Sequence, residues 1–335
     1  GKCFDCHVRP ERLEVTINGT LVYKDESRVD FDELKVRNLL SGEKVHITVN
    51  LNEGTDSALA YGCDLTNGYI EENAAYYSSE QDNDVFLPCA KKDMDTLGWD
   101  RADIILVSGD SYMDSPFMGI AVIGNVLAAR GFRVAVIAQP DMNSDRDITR
   151  LGEPRLFWGI SAGAVDSMVA NYTATGKRRK KDDYTPGGVN DRRPDRALIQ
   201  YSNLIRRYFK NTAPLVLGGV EASLRRVSHY DLWSDSVRRS VLFDAKADYL
   251  IYGMGEKPVV ELALALEHGD DPRSIRGLCH ISKEPVDGYL ELPSHDEVRS
   301  DAGVFAAMFR TFYDNNVPHT TKRLWQKRDV RSLGQ

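Results

Sequence analysis

Asp103-Ile104-Ile105-Leu106-Val107-Ser108-Gly109-Asp110-Ser111 is an unbroken apolar run that stops abruptly at a small, polar turn. A strand with one wet face alternates apolar and polar residues; this one does not, so both of its faces are buried, as in the parallel sheet of an α/β protein. Downstream, Met118 to Arg130 has helical spacing and ends at Gly131, a residue suited to the left-handed turn that closes a helix. Four further apolar runs follow, Phe132–Ala138, Arg155–Ile160, Pro214–Leu217 and Ala247–Tyr252, with helical stretches between them. This β-α-β alternation predicts a doubly wound parallel sheet with helices on both faces.

In such sheets ligands sit beyond the carboxyl ends of the strands, where backbone N–H groups of the turns face outward. The candidate ligand rim therefore starts with Gly109 and Asp110 after the first run and Ser161 and Gly163 after the third. Gly218, Gly219, Glu221 and Arg225 follow the fourth run, and Tyr252, Gly253 and Glu256 close the fifth. None of these turns is a Walker A loop or a dinucleotide fingerprint, and glycine also serves plain packing in strand-to-helix turns. Glu221 with Arg225 and Arg226 reads either as a clamp for an anion or carboxylate or as a helix-terminal ion pair. His229, Tyr230, Asp231, Trp233 and Asp235 line a substrate cleft or serve as ion pairs and packed aromatics, and Asp110 and Asp114 are catalytic groups or loop caps.

The chain has 335 residues, more than one core usually organises, so two domains are expected. Its 42% hydrophobic and 28% charged residues describe a globular protein, and no apolar run approaches the length of a membrane span. With a net charge of −7, general polyanion binding is not expected, so a small-molecule ligand is predicted in preference to nucleic acid. The densest basic run, Lys177-Arg178-Arg179-Lys180-Lys181, is followed at once by Asp182-Asp183 and reads as a solvated loop. The start carries no signal-peptide pattern and no Met, so a cytoplasmic location and an internal cut are expected. Cys3-Phe4-Asp5-Cys6-His7 has the haem-attachment spacing without an export signal, and no second Cys pair completes a zinc site.

Toward the N-terminus, Leu13 to Tyr23 alternates around Asn18-Gly19, a strong hairpin signal. Phe31–Leu40 then reads as a short helix and Lys44–Leu51 as another strand, making a small α+β segment. The divisions expected are residues 1–80, a polar junction at 81–95, the α/β domain at 96–283, and a weaker extension at 284–335 with an amphipathic helix from Val304 to Tyr313.

Gly54-Thr55-Asp56-Ser57 through Gly62-Cys63-Asp64-Leu65-Thr66 and Tyr69 to Tyr76 resemble the C-terminal end of ArgJ-type ornithine (glutamate N-) acetyltransferases of arginine biosynthesis. That resemblance implies substrate-holding roles for Asn73 and for Ser78, which stands where the family usually has Thr. It does not supply the family's threonine nucleophile, so this segment is expected to be inert alone. Cys63 is either a nucleophile beside Asp64 or a buried structural Cys.

Phe86-Leu87-Pro88, Gly98-Trp99-Asp100, Ile137-Ala138-Gln139-Pro140-Asp141, Arg193-Pro194-Asp195-Arg196-Ala197, Gly218-Gly219-Val220-Glu221-Ala222-Ser223 and Tyr252-Gly253-Met254-Gly255-Glu256 resemble the YgiQ-like radical SAM proteins. The resemblance implies a Rossmann-like, cobalamin-binding-like domain ahead of a catalytic barrel, the barrel being its natural partner. Full-length relatives would bind a [4Fe–4S] cluster and SAM through three Cys in a C-x-x-x-C-x-x-C arrangement. The five Cys here form no such triplet, so no metal ligand, no catalytic residue and no cofactor of its own are assigned to this chain. Ser115 stands where family members commonly carry the cobalt-binding His, which argues against cobalamin ligation. The expected function is an accessory α/β domain fused to an acetyltransferase remnant; the alternatives are the acetyltransferase activity itself and a nucleotide- or RNA-binding module.

Overall fold

A computed structural model describes residues 14–24, 27–32, 35–36, 47–50, 86–283, 288–315 and 322–327. The chain divides into two compact units, Gly1–Glu80 and Gln81–Gln335.

In the first unit, β1 (Glu14–Ile17), β2 (Thr20–Lys24), β3 (Ser27–Arg28) and β4 (Ile47–Asn50) form an antiparallel sheet in the order β3-β2-β1-β4. Asn18 and Gly19, at φ +45° and +81°, make the tight turn that Asn-Gly dictates, because both central positions of this turn require positive φ. Of the helix expected from Phe31, the described part begins later: Asp32 caps it, its Oδ1 accepting the Lys35 N–H at 3.0 Å, and Lys35 and Val36 are helical. Cys3, Cys6, His7, Cys63, Asp64, Asn73 and Ser78 lie outside the described residues.

The second unit opens with α1 (Lys91–Thr96), then runs β5 (Ile104–Ser108), α2 (Gly119–Ala129), β6 (Val134–Ala138), α3 (Arg146–Thr149), β7 (Phe157–Ser161), α4 (Ser167–Asn171), α5 (Ala197–Tyr208) and β8 (Leu215–Gly218). It continues through α6 (Gly219–Leu224), β9 (His229–Asp231), β10 (Ser236–Arg238), α7 (Val241–Ala245), β11 (Tyr249–Ile251), α8 (Glu256–His268) and β12 (Leu278–His280). Six of these strands form one sheet in the order β12-β11-β8-β7-β5-β6, parallel throughout except for the edge strand β12. Alternation of side chains along β5 sends Ile105 and Val107 to one face and Ile104 and Leu106 to the other, and helices cover both. Leu198, Tyr201 and Leu204 of α5 pack on the first face; Leu127 of α2 and Leu262 of α8 pack on the second. Each such side chain taken from water stabilises the fold by about 1.5–3 kcal/mol, which is why both faces of the sheet are apolar.

Past the sheet, β13 (Leu290–Leu292), α9 (His295–Ser300), α10 (Ala302–Asp314) and β14 (Leu324–Gln326) form a small extension, with β13 and β14 paired in parallel. Leu292, Val298 and Met308 make its core. No helix among the described residues is long and apolar enough to cross a membrane.

At the amino ends of the central strands, Asp103 accepts from Arg133 at 2.8 Å and from Arg155 at 2.7 Å, tying β5, β6 and β7 together. Burial opposes ionisation here, but the two guanidinium groups prevail and hold this carboxyl at about 2. Its folded value lies below its unfolded value of 3.8, so its contribution is present above that pH and is lost as pH falls through about 2. Both arginines are partly solvated, so Asp103→Asn is expected to cost on the order of 1–2 kcal/mol near neutrality and almost nothing below pH ~2, as read from urea unfolding at several pH values.

Candidate functional site

The strand order places the topological switch point between β5 and β7, whose chains depart to opposite sides of the sheet. The structure brings five predicted rim residues together there, packed tightly. The Gly109 N–H donates to the Ser161 carbonyl at 3.0 Å, and a Cβ on Gly109 would lie 2.1 Å from the Ala162 oxygen. At Gly163, φ is +109° and a Cβ would lie 2.1 Å from Asp110 Oδ1; at Gly219 it would meet Ser161 Oγ at 2.8 Å. These glycines admit neighbouring backbone and side chains.

What fills the crevice comes from the loop between α4 and α5. Arg193, with its side chain fully buried, forms an ion pair with Asp110, reaches Asp182 at 3.2 Å and donates from Nε to the Gly109 carbonyl at 3.1 Å. Asp110 also accepts the Ala164 N–H at 2.6 Å. Burial raises its pKa, with the Ala164 N–H and Arg193 working in the opposite direction. Gln139 links the Gly109 carbonyl to Thr185, and Thr185 donates to Asp182 at 2.8 Å. The turn after β5 is thus held by a buried polar network built by this chain, with one Arg193 nitrogen and the Tyr201 hydroxyl left without a partner in it. Arg193 is the residue missed in the sequence: it stands 83 positions from Asp110, and no local pattern connects them.

Glu221 and Arg225 also turn inward. Glu221 is 1% exposed and accepts the N–H of Ser167 at 2.8 Å and of Leu198 at 3.4 Å, so one carboxylate serves the first turns of both α4 and α5. Burial raises its pKa, opposed by Arg225. Arg225 forms its ion pair with Asp166, the cap of α4, and Arg226 points elsewhere, so the three do not form a common clamp. Among the hairpin candidates, Asp231 binds Arg196 at 2.6 Å, Tyr230 donates to Asp235, and Trp233 packs on Tyr172 with ring centres 5.1 Å apart. Asp114 accepts from Asn125 at 2.7 Å.

Outside this network the carboxyl-end rim exposes several large apolar side chains. Phe117 in the loop after β5 is 90% exposed, Leu224 of α6 and Met254 after β11 are each 62% exposed, and Met113 and Val220 are also exposed. Gly253 donates to Ser223 Oγ at 3.1 Å, which joins the α6 and β11 parts of this rim; Gly218 ends β8, and Glu256 begins α8. Beside Tyr252, Gly253 and Met254 opens a cleft of about 1550 Å³, bounded by β12 and the C-terminal extension.

Two cysteines fall among the described residues. Burial pushes the Cys89 thiol up to about 11 and the Cys279 thiol up to about 12, so both stay protonated near neutrality. Among the described residues no three His, Cys, Asp or Glu side chains are grouped to hold a metal ion.

The Radical SAM N-terminal family model matches residues 86–335, and the ArgJ family model matches residues 1–78. A UPF0313 protein of Fusobacterium nucleatum is 54% identical over 251 residues, covering 75% of this chain and 44% of that protein. Another from Thermotoga petrophila is 50% identical over 256 residues, covering 75% and 45%. The chain therefore spans less than half the length of these curated relatives. Among solved structures, the radical S-adenosylmethionine methyltransferase TsrM from Kitasatospora setae, with tryptophan substrate and a SAM analog bound, is similar at 20% identity and a TM-score of 0.36 over 54% of this chain and 28% of that one. Since the first of these matches takes in most of its 335 residues, the chain belongs to the Radical SAM N-terminal family.

Proposed function

We propose that this chain works as a non-catalytic accessory domain whose apolar rim docks against a radical SAM catalytic barrel and shields the chemistry there. The observation that carries this reading is the exposure of Phe117, Val220, Leu224 and Met254 along one end of the sheet, where large apolar side chains gain only by being covered. The inward-facing Asp110–Arg193–Asp182 network supports it, because those charges are already engaged with one another.

The cofactors of radical SAM relatives do not fit this chain's own donors. A [4Fe–4S] cluster needs three thiolates within reach of one another, whereas the five cysteines, at positions 3, 6, 63, 89 and 279, contain no C-x-x-x-C-x-x-C arrangement and the two described are half-buried residues whose thiols stay protonated. Cobalamin held base-off with a protein imidazole on cobalt needs a His; the loop after β5 offers Ser115, whose hydroxyl accepts the Phe117 N–H at 3.3 Å. Cluster, SAM and any cobalt ligand therefore belong, in this proposal, to the partner barrel.

The test mixes the full chain with the part of the Fusobacterium relative that this chain does not match, prepared anaerobically with its iron. A one-to-one complex of micromolar affinity is expected, weakened at least about tenfold by Leu224→Glu or Phe117→Glu, since burying an unpaired charge in an interface costs several kcal/mol. Absence of any complex, or stoichiometric iron with absorbance near 400 nm bound by this chain alone, would contradict the proposal.

A further inference from the structure

The cleft beside Tyr252 combines two properties that the chain as a whole lacks. Against a net charge of −7, its lining holds nine Lys and Arg side chains and one carboxylate, Glu261. Carboxylates just outside the lining hold some of these cations, as Glu291 does Lys327 at 3.1 Å and Asp271 does Arg273 at 2.6 Å. Others meet neutral groups: Arg323 donates to the Ser274 carbonyl at 2.6 Å and to the Tyr289 hydroxyl at 3.1 Å, and Lys322 and Lys283 are exposed at the mouth. The field in the cleft is therefore positive, and its walls concentrate it.

Aromatic rings stand between the charges. The Arg226 guanidinium lies between the rings of Tyr252 and Phe312, at 4.4 and 4.3 Å from their centres. Arg323 lies 5.7 Å from the Tyr289 ring centre, and the Lys327 ammonium 5.2 Å from that of Trp325. Stacked guanidinium and aromatic planes present flat faces, and cations spaced along a groove follow a chain of phosphates; together they are the chemistry that holds single-stranded nucleic acid. Size agrees, because about 1550 Å³ exceeds the roughly 300–1,000 Å³ of small-molecule pockets. A flat membrane surface would not enter a concave cleft, and an acidic peptide would leave the ring faces unused.

We infer that this cleft binds a single-stranded polynucleotide, its phosphates on Lys322, Arg323 and their neighbours and its bases against the ring faces. The sequence average argues against such a partner, but folding collects cations from Arg226 to Lys327 into one place. The site takes in Tyr252, Gly253 and Met254 at one end of the rim but none of Phe117, Val220 and Leu224, so its test is separate from that of barrel docking.

Fluorescence anisotropy of a labelled oligouridylate titrated with the full 335-residue chain tests this. Micromolar binding is expected, weakening about 20-fold between about 50 and about 200 mM salt for some three neutralised phosphates. Lys322→Glu/Arg323→Glu, both exposed, should weaken binding at least about tenfold, and Trp325→Ala should do so by about tenfold through lost stacking. Lys177→Glu/Lys180→Glu, in the exposed basic loop away from the cleft, should leave binding unchanged, with circular dichroism checking the fold of each variant. No binding at about 100 μM protein, far above the affinity range usual for nucleic-acid contacts at low salt, would overturn the inference. So would equal losses from both charge pairs, equal affinity for duplex DNA, or retention on phosphatidylglycerol vesicles without RNA binding.

Discussion

Replacing Arg193 by Met is expected to cost the second unit about 3–5 kcal/mol, because it strands two buried carboxylates that had shared one counter-charge. The Asp110 and Asp182 side chains are 2% and 3% exposed, so water cannot take over the role of the guanidinium. Urea unfolding followed by the fluorescence of buried Trp158 reads the change. The loss has a signature in pH. Asp110 already has its pKa raised by burial, and losing Arg193 removes a group that opposes that rise. A folded-state pKa above the unfolded one destabilises as pH rises through the interval between them, so the deficit of the variant should shrink as pH is lowered from about 7 toward about 4. Asp110→Asn in the same background should restore part of the stability for the same reason. A loss below about 1 kcal/mol, the scale of exposed ion pairs, would show that the network is not what closes the crevice.

Gly163→Ala is expected to cost about 2–6 kcal/mol from two sources. Its Cβ would lie 2.1 Å from Asp110 Oδ1, on a carboxylate whose two oxygens Arg193 and the Ala164 N–H hold in place, an overpacking cost of about 1–3 kcal/mol. Its φ of +109° adds backbone strain of about 1–3 kcal/mol for any residue with a side chain. Gly176→Ala is the comparison: φ is +76° with nothing within 4 Å, so only a backbone penalty of about 1 kcal/mol is expected. Thermal unfolding of the two variants separates crowding from strain, and similar losses at both positions would rule out the crowding argument.

Much of the central sheet is legible in the residues alone. Uninterrupted apolar runs place β5, β6, β7, β8 and β11 to within about two residues, because burial on both faces leaves no polar alternation to confuse the signal. The helix read over Met118–Arg130 is α2, Gly119–Ala129, and that read over Val304–Tyr313 is α10, Ala302–Asp314. Elements three residues long, such as β9, β10, β12, β13 and β14, are too short to show a period; pairing partners define them. The site divides in the same way. Gly109, Gly163 and Gly219 can be placed at the ends of buried runs, but their reason for being glycine lies in Ala162, Asp110 and Ser161 across the rim. The basic cleft is hidden more deeply, since its cations lie on the turn after α6, before α7, on α8, on the segments either side of β12 and on the C-terminal extension, each unremarkable in its own stretch of chain.

The double service of Glu221 has a dynamic consequence. The backbone that leaves at α4 and returns at α5, carrying Asp182, Thr185 and Arg193 between, is pinned at both departures by this one carboxylate. Freeing either helix start means breaking a bond to the same side chain, so the two ends of the loop are expected to release in concert and not fray one residue at a time. Buried amide protons at the starts of α4 and α5 are then expected to exchange together, as one cooperative opening unit.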